Sequence, residues 1–438
     1  IMWAGFALAG ILESVNYVNY FYPAVPQLQI KPYHWEPYLS AAPWTSVGTF
    51  TTAFYPFAIG IAFLLSQEVS FSCWFFYLVT KAENVGAAAL GLNQGGGRGS
   101  VAQAPFLGEQ GVGAFLALAL FLLWRARKPL GDAMRGAWDR TAAREFDDPH
   151  APLSPRVAFW GGLVGMAILT VFLSLIGLPV WVSLLFWAIY FLFLLTLTRI
   201  IVEAGAGWAW GPTYIPVHNV ILDLVGVSAV PERALTMFGY LSWFEVEFRD
   251  TPMPHQMMAM KLGQETGQPR RQLLWGLLIA AALSTIVGFW AYLHMYYEFG
   301  AASAKVRPAL QSVGPNMLRQ VDHWLNTPSL PDRGALGAMV FGAIVVVTLA
   351  FLRQSFVWWP LHPIGYVLAG TPSMEYMWCP FLVGWAIKAV VVRYGGVKIY
   401  RQVLPFFLGL ILGDYIVPTL WGLWGTAAHT QVYMSFPH

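Results

Sequence analysis

Thr198-Arg199-Ile200-Ile201-Val202-Glu203-Ala204-Gly205-Ala206-Gly207-Trp208-Ala209-Trp210-Gly211-Pro212 is the stretch on which the fold turns. A long apolar run, 180–201, acquires two opposite charges four residues apart, so Arg199 and Glu203 share a helix face. Gly205, Gly207 and Gly211, followed by Pro212, then stop the helix, because glycine and proline are the poorest residues for continuing one. Backbone groups released inside hydrocarbon find no water, so an interruption at depth must be buried by protein or line a polar cavity. A helix that ends at the membrane surface with an intrahelical ion pair would show the same residues, and both readings stand. His218, Asn219 and Asp223 follow on a short segment that faces either the same cavity or the interface.

The whole chain is of this kind. Its 438 residues are 57% hydrophobic and only 11% charged, against roughly 25% charged in a soluble domain. A water-soluble monomer has no surface for that much apolar material, and a disordered chain would not carry 21 Trp and 30 Phe. A net charge of +3, scattered between apolar runs, excludes a nucleic-acid surface. Cys73 and Cys379 both lie in apolar segments, which leaves no disulfide framework and no thiolate metal cluster. The chain opens at Ile1, already apolar, and reads as a fragment whose upstream helices are missing, with a cleaved signal peptide as the weaker alternative.

Runs of spanning length fall at 1–22, 157–176, 180–201, 272–297, 335–352, 376–392 and 404–427. Shorter runs at 53–66, 69–81, 111–124, 209–222 and 356–370 suggest broken or re-entrant segments. The fold class expected is all-α, a single polytopic transmembrane helical bundle over 1–438. Arg125, Arg127, Lys128, Arg135, Arg140, Arg144 and Arg156 place the stretch 125–156 in the cytoplasm by the positive-inside rule. Counting crossings from there puts 177–179 outside, the loop 233–271 inside and the loop 298–334 outside. Lys305, Arg307, Arg319 and Arg333 in that outer loop run against the rule, offset by Glu298, Asp322 and Asp332. The Pro- and aromatic-rich segment 23–44 suits an extended loop at the headgroup level, and Gly95-Gly96-Gly97-Arg98-Gly99 reads as a tether rather than a phosphate loop.

Pro56, Glu68 and Lys81 recur as Pro363, Glu375 and Lys388 at one constant offset. Duplication and compositional coincidence explain three matches equally well. If the duplication is genuine, charge counting makes the two copies inverted, the arrangement by which many secondary transporters build a midplane site with two access routes.

A few ionisable residues could carry chemistry. Glu68 lies between two apolar arms, where an ionised carboxylate needs a partner, water or a proton. It reads either as a coupling carboxylate or as a loop tip at the interface. Asp414 sits within the last apolar run, with Gly409 and Gly413 forming a small-xxx-small face, and serves either coupling or a structural hydrogen bond. His362 has no second ligand at helical spacing and His294 has only Glu298, so no metal site and no cofactor is expected. The Met- and Pro-rich loop 248–261 reads as packing or surface helix, and the absence of any hydrolase signature argues against an enzyme.

Trp359-Pro360-Leu361-His362-Pro363-Ile364-Gly365-Tyr366, Gly384-Trp385-Ala386-Ile387-Lys388, Tyr400-Arg401-Gln402-Val403-Leu404-Pro405 and Gly409-Leu410-Ile411-Leu412-Gly413-Asp414 resemble, in that order, the C-terminal part of the oligopeptide transporter family. Arg199 to Gly205 resembles that family's Arg-x-x-x-Glu-x-Gly stretch, and the likeness is to its bacterial branch. The resemblance implies proton-coupled uptake of small peptides or metal chelates through an internally duplicated helical fold in the bacterial cytoplasmic membrane. Asp414 stands where that family usually has Glu. The substrate and coupling-ion candidates are therefore Glu68, Arg199, Glu203, Gly205, Gly207, Gly211, His218, Asp223 and Asp414. The alternative is a non-transporting structural or accessory subunit of a larger membrane complex. Membrane lipids, further copies of the chain or other membrane subunits are the partners expected, and nucleic acid is not.

Overall fold

The computed structural model describes residues 1–92, 105–139, 152–205, 209–212, 214–245, 248–249, 251–301, 303 and 308–436. The tether 95–99, Gly207, Arg140, Arg144, Lys305 and Arg307 lie outside them. Among the described residues the chain is all-α apart from one two-residue strand pair, Tyr33–His34 with Thr51–Thr52. The helices are α1 Met2–Phe21, α2 Pro56–Leu64, α3 Gln67–Ala89, α4 Leu107–Arg125, α5 Arg127–Trp138, α6 Pro155–Ile176, α7 Val180–Ala204 and α8 Val217–Val225, followed by α9 Glu232–Glu245, α10 Pro252–Glu265, α11 Arg270–Phe299, α12 Pro308–Asn326, α13 Arg333–Ser355, α14 Pro363–Ala369 and α15 Pro372–Ala427. Six of these, α4, α6, α7, α11, α13 and α15, are long and apolar enough to cross a bilayer. They fall into two compact units, one of Ile1–Ala114, Glu203–Trp210 and Ala338–His438, the other of Phe115–Val202 and Gly211–Gly337.

The first unit contains both halves of the repeat. Pro56 opens α2 and Pro363 opens α14, each at the first helical position, where a missing N–H is no loss. Each short helix breaks and is followed by a long one, α3 or α15, whose first turn holds the acid, Glu68 or Glu375. Tyr77 stacks on Trp378 at 5.6 Å while Phe71 and Trp74 meet Trp385 at 5.3 and 5.4 Å, so α3 and the first part of α15 run antiparallel. The short helices are exchanged: Gly365 of α14 lies against Ser72 of α3, and Ala62 of α2 lies against Gly384 of α15. Lysines complete the exchange. Lys388 donates to the carbonyl of Leu65 at the α2–α3 break, and Lys81 lies within electrostatic reach of Glu375 at the head of α15. Two segments with the same parts, antiparallel and reciprocally packed, form an inverted pair.

Gly396, with φ of 61°, breaks α15 into two arms, because left-handed backbone there is open to glycine and strained for other residues. The second arm runs beside α1. A Cβ on Gly409 would fall on the carbonyl of Met2, one on Gly413 on that of Phe6, and one on Gly5 on that of Phe406. The small-residue face predicted at 409 and 413 is thus the seam that lets two backbones touch. Phe63 of α2 fills the angle between the arms, stacked 3.7 Å from Phe407 in a core with Ala9 and Leu410.

The second unit corrects the sequence-based loops. Arg233 packs its side chain against Gly177, although charge counting set them on opposite sides. At the other end of α6, residues from 152–157 and 263–271 line one cavity. In the stretch 233–271, α9 and α10 run from one end of α6 to the other. With its 22 residues, α6 is about 33 Å long at 1.5 Å per residue, a hydrocarbon thickness. Two helices of 14 residues each, charged and individually too short, hide this passage from any search for apolar runs. The supposed outer loop 298–334 likewise holds α12, whose Met317 and Val321 pack on Gly239 of α9. In the supposed loop 125–156, α5 folds back on α6, with Trp138 and Trp160 5.0 Å apart. The run 111–124, too short on apolarity alone, belongs to the full-length α4, which gains turns because buried Gln110 is hydrogen-bonded to Pro105 O at 2.8 Å and to Tyr366 at 2.9 Å.

Overpacking the α1–α15 seam destabilises the first unit. Gly409→Val and Gly413→Val are each expected to lower stability by about 1–3 kcal/mol. Gly422→Val, where a Cβ meets nothing within 4 Å, changes it by roughly 0.5 kcal/mol or less. Thermal unfolding in detergent measures both, and equal midpoints for all three variants would refute the contact.

Candidate functional site

The seam between α1 and the second arm of α15 brings two acids together. Glu13 is the only acid of α1, and both it and Asp414 are 1% exposed. One oxygen of Asp414, Oδ2, accepts the backbone N–H of Phe57 at 2.8 Å, in the first turn of α2, where unsatisfied amides and the helix dipole favour negative charge. The carboxyl of Glu13 lies within hydrogen-bonding reach of that of Asp414 and of the Ser435 hydroxyl. Glu13 Oε2 and Asp414 Oδ1 meet no donor. Two carboxylates in contact do not both ionise, because each charge penalises the other and burial penalises both. A proton on either acid would supply the donor that these two oxygens lack.

The surroundings of the pair are aromatic and phenolic. Tyr55 lies within electrostatic reach of both acids and of Tyr433. Ser435 Oγ donates to the Tyr17 hydroxyl at 3.0 Å, which ties the C-terminal segment across the pair. The loop after α1 is pinned by Asn16, which exchanges hydrogen bonds with the backbone of Leu28 at 2.8 and 3.1 Å. Lys31 of that loop sits 4.0 Å over the Tyr433 ring, and burial pushes its ammonium below the ordinary lysine value, partly offset by the charge of Glu13.

The interrupted segment after α7 lies at the breaks of both repeats. Helix α7 stops at Ala204, and Gly205 takes a left-handed φ of 67° with the Leu65 side chain beside it. Trp210 donates its backbone N–H to Ser373 Oγ at 2.7 Å, at the head of α15. Gly205 and Trp210 are non-helical, and their neighbours are the two points where the repeat helices break. Arg199 and Glu203 stand on α7 with exposed side chains.

Glu68 has a different partner from the one a coupling role requires. Its Oε2 accepts from Arg353 Nη2 at 3.0 Å, and Arg353 also contacts His362, which caps α14 through the Ile364 N–H. With side chains 44% and 40% exposed, this is an ion pair joining α3 to α13, worth about 1 kcal/mol at most. Glu68 and Asp414 sit at opposite ends of α2, about 12 Å apart along its axis. They do not share one pocket.

In the second unit, Gly211 is covered by the Phe248 ring. His218 Nδ1 hydrogen-bonds Glu245, whose other oxygen accepts the His218 backbone N–H at 3.0 Å. The Nε2 of His218 faces the Gln320 amide at 3.4 Å, which fits the tautomer that donates from Nδ1. Both partners are buried, so the pair clamps α8 to α9 and α12. Asp223 is buried and its carbonyl accepts from Asp332 N at 3.1 Å.

Glu13 and Glu245 are absent from the sequence-based candidates. Glu13 carries the signal that marks Asp414, a single acid in an apolar helix; Glu245 ends an ordinary amphipathic segment and gives no such signal. Among the described residues no group of three His, Cys, Asp or Glu side chains could hold a metal.

Six helices long and apolar enough to cross a bilayer mark a multi-pass helical membrane protein. The family of unknown function DUF6785 matches residues 1–437, and the chain belongs to that family. No curated protein matches the chain, and no solved structure does.

Removing one partner of the second unit's buried pair leaves a buried acid without its hydrogen bond. His218→Ala is expected to cost about 3–5 kcal/mol. The double variant His218→Leu/Glu245→Met should recover most of that loss. Unfolding midpoints in detergent test both, and equal destabilisation by single and double variants would contradict the pairing.

Proposed function

We propose that the protein is a proton-coupled secondary transporter of the bacterial cytoplasmic membrane, with small peptides or their metal chelates as substrate. The observation that carries this reading is the Glu13–Asp414 pair, two buried acids where α1 and the second arm of α15 meet the start of α2. A proton bound there neutralises a site that is otherwise charged and buried, so loading and unloading it changes which packing of α1, α2 and α15 is favoured. The antiparallel repeat supplies two equivalent arrangements, and the broken ends at Leu65 and Ser373 beside Gly205 and Trp210 supply backbone groups for a substrate. The substrate class rests on the resemblance of the 359–414 motifs and of Arg199 to Gly205 to the oligopeptide transporters.

A second reading has its own observation. Helix α11 spans 30 residues and none is buried within the chain, which suits an accessory subunit packed on other membrane proteins. Stable co-purification of a partner together with the absence of uptake would favour it.

Proteoliposomes loaded with a pH-sensitive dye separate the two. Di- to tetrapeptides, alone and as copper or iron chelates, should drive proton entry into vesicles holding the wild-type protein. Glu13→Gln and Asp414→Asn should each lower that flux at least tenfold. Unchanged flux in both variants would remove the pair from the mechanism, and no flux with any of these probes would refute the transporter.

A further inference from the structure

Helix α15 ends in a turn that sends the chain back along it. His429 takes a left-handed φ of 52°, strained for a residue with a Cβ, and the Thr430 N–H closes the turn on the Gly425 carbonyl at 2.9 Å. From Thr430 to Ser435 the backbone is neither helix nor strand. Val432 lies against Gly425, and the Phe436 ring reaches Tyr415, with centroids 5.8 Å apart. Those two points of α15 are about 15 Å apart along its axis, and an extended chain covers about 13 Å from Val432 to Phe436, so the segment runs nearly straight and antiparallel to the helix. Side chains hold it down. Tyr433 meets the Tyr17 ring edge-on at 5.5 Å, with the Lys31 ammonium 4.0 Å over its own ring. Ser435 is buried, 3.0 Å from the Tyr17 hydroxyl and within hydrogen-bonding reach of Glu13. Phe436 packs on the Phe57 ring at 5.7 Å, and Phe57 supplies the N–H that Asp414 accepts, while Tyr415 directly follows Asp414. Gln431 and Met434 are exposed, so the segment lies on the surface with one side against the acid pair's surroundings.

We propose that residues 430–436 are a displaceable strap, hinged at His429, that seals the Glu13–Asp414 pair from water and lifts off α1 and α2 to admit it. The tip touches Glu13 through Ser435 and the immediate neighbours of Asp414 through Phe436, so lifting it uncovers both acids. Ring contacts and a hydroxyl hold the strap where a helix or a sheet would hold by its ladder, and attachments of this kind open locally well below the free energy of global unfolding. The left-handed turn at His429 favours the lifted state, because release lets that backbone relax. A segment that served packing alone would gain from glycine at 429, where this chain places histidine. The strap governs access to the acid pair and is independent of the transport reading.

Carboxyl labelling in mild detergent tests the strap, with a water-soluble carbodiimide and glycine ethyl ester as reagents and peptide mass spectrometry as readout. In the wild-type chain Glu13 and Asp414 should label slowly but measurably, while the exposed Glu298 labels fast. Tyr433→Ala/Phe436→Ala should raise labelling of the two buried acids about tenfold or more and leave Glu298 unchanged. His429→Gly should lower it roughly fivefold, because the closed turn is then unstrained. Labelling of Glu13 and Asp414 at the rate of Glu298 in the wild-type chain, or equal rates in all three proteins, would overturn the strap. So would a rise that comes only with a collapse of the thermal unfolding midpoint. If the alanine variant does not fold, His429→Gly decides, since unchanged labelling there also overturns the proposal.

Discussion

The first unit is organised around a contact that should be unfavourable, the meeting of the Glu13 and Asp414 carboxyl groups inside protein. An isolated ionised acid in hydrocarbon costs about 3 kcal/mol even on insertion scales. The structure reduces that cost with the Phe57 N–H at the start of α2 and with Ser435. What is left over is two oxygens without a donor, which a single proton would supply. The glycine seam follows from the same requirement, because only backbones in contact at Gly5, Gly409 and Gly413 let two short acid side chains on neighbouring helices reach each other.

The inverted repeat supplies the frame for that seam. Each short helix packs on the other copy's long helix, and each lysine reaches toward the other copy's break. Gly205 lies beside Leu65 at one break, and Trp210 donates to Ser373 at the other.

Much of this was legible in the sequence, and the limits have physical causes. Helix class, the break after Ala204 and the small-residue face at 409 and 413 follow from apolarity and from glycine, which are local properties. The repeat was visible only as three matching residues, because its basis is packing rather than similar side chains. Charge counting read 233–271 as a loop, and α9 and α10, two short helices with charges, carry it along α6. Glu68 looked like a buried acid because its partner, Arg353, lies far away in the chain, and Glu245 was silent because burial by distant helices leaves no trace in neighbouring residues.

Infrared spectroscopy of the purified protein at neutral pH addresses the shared proton most directly. A deuterium-sensitive carbonyl band of a protonated carboxyl group is expected in the wild-type chain and should be gone in Glu13→Gln/Asp414→Asn. Identical spectra for the two proteins, with no protonated carboxyl to lose, would contradict it.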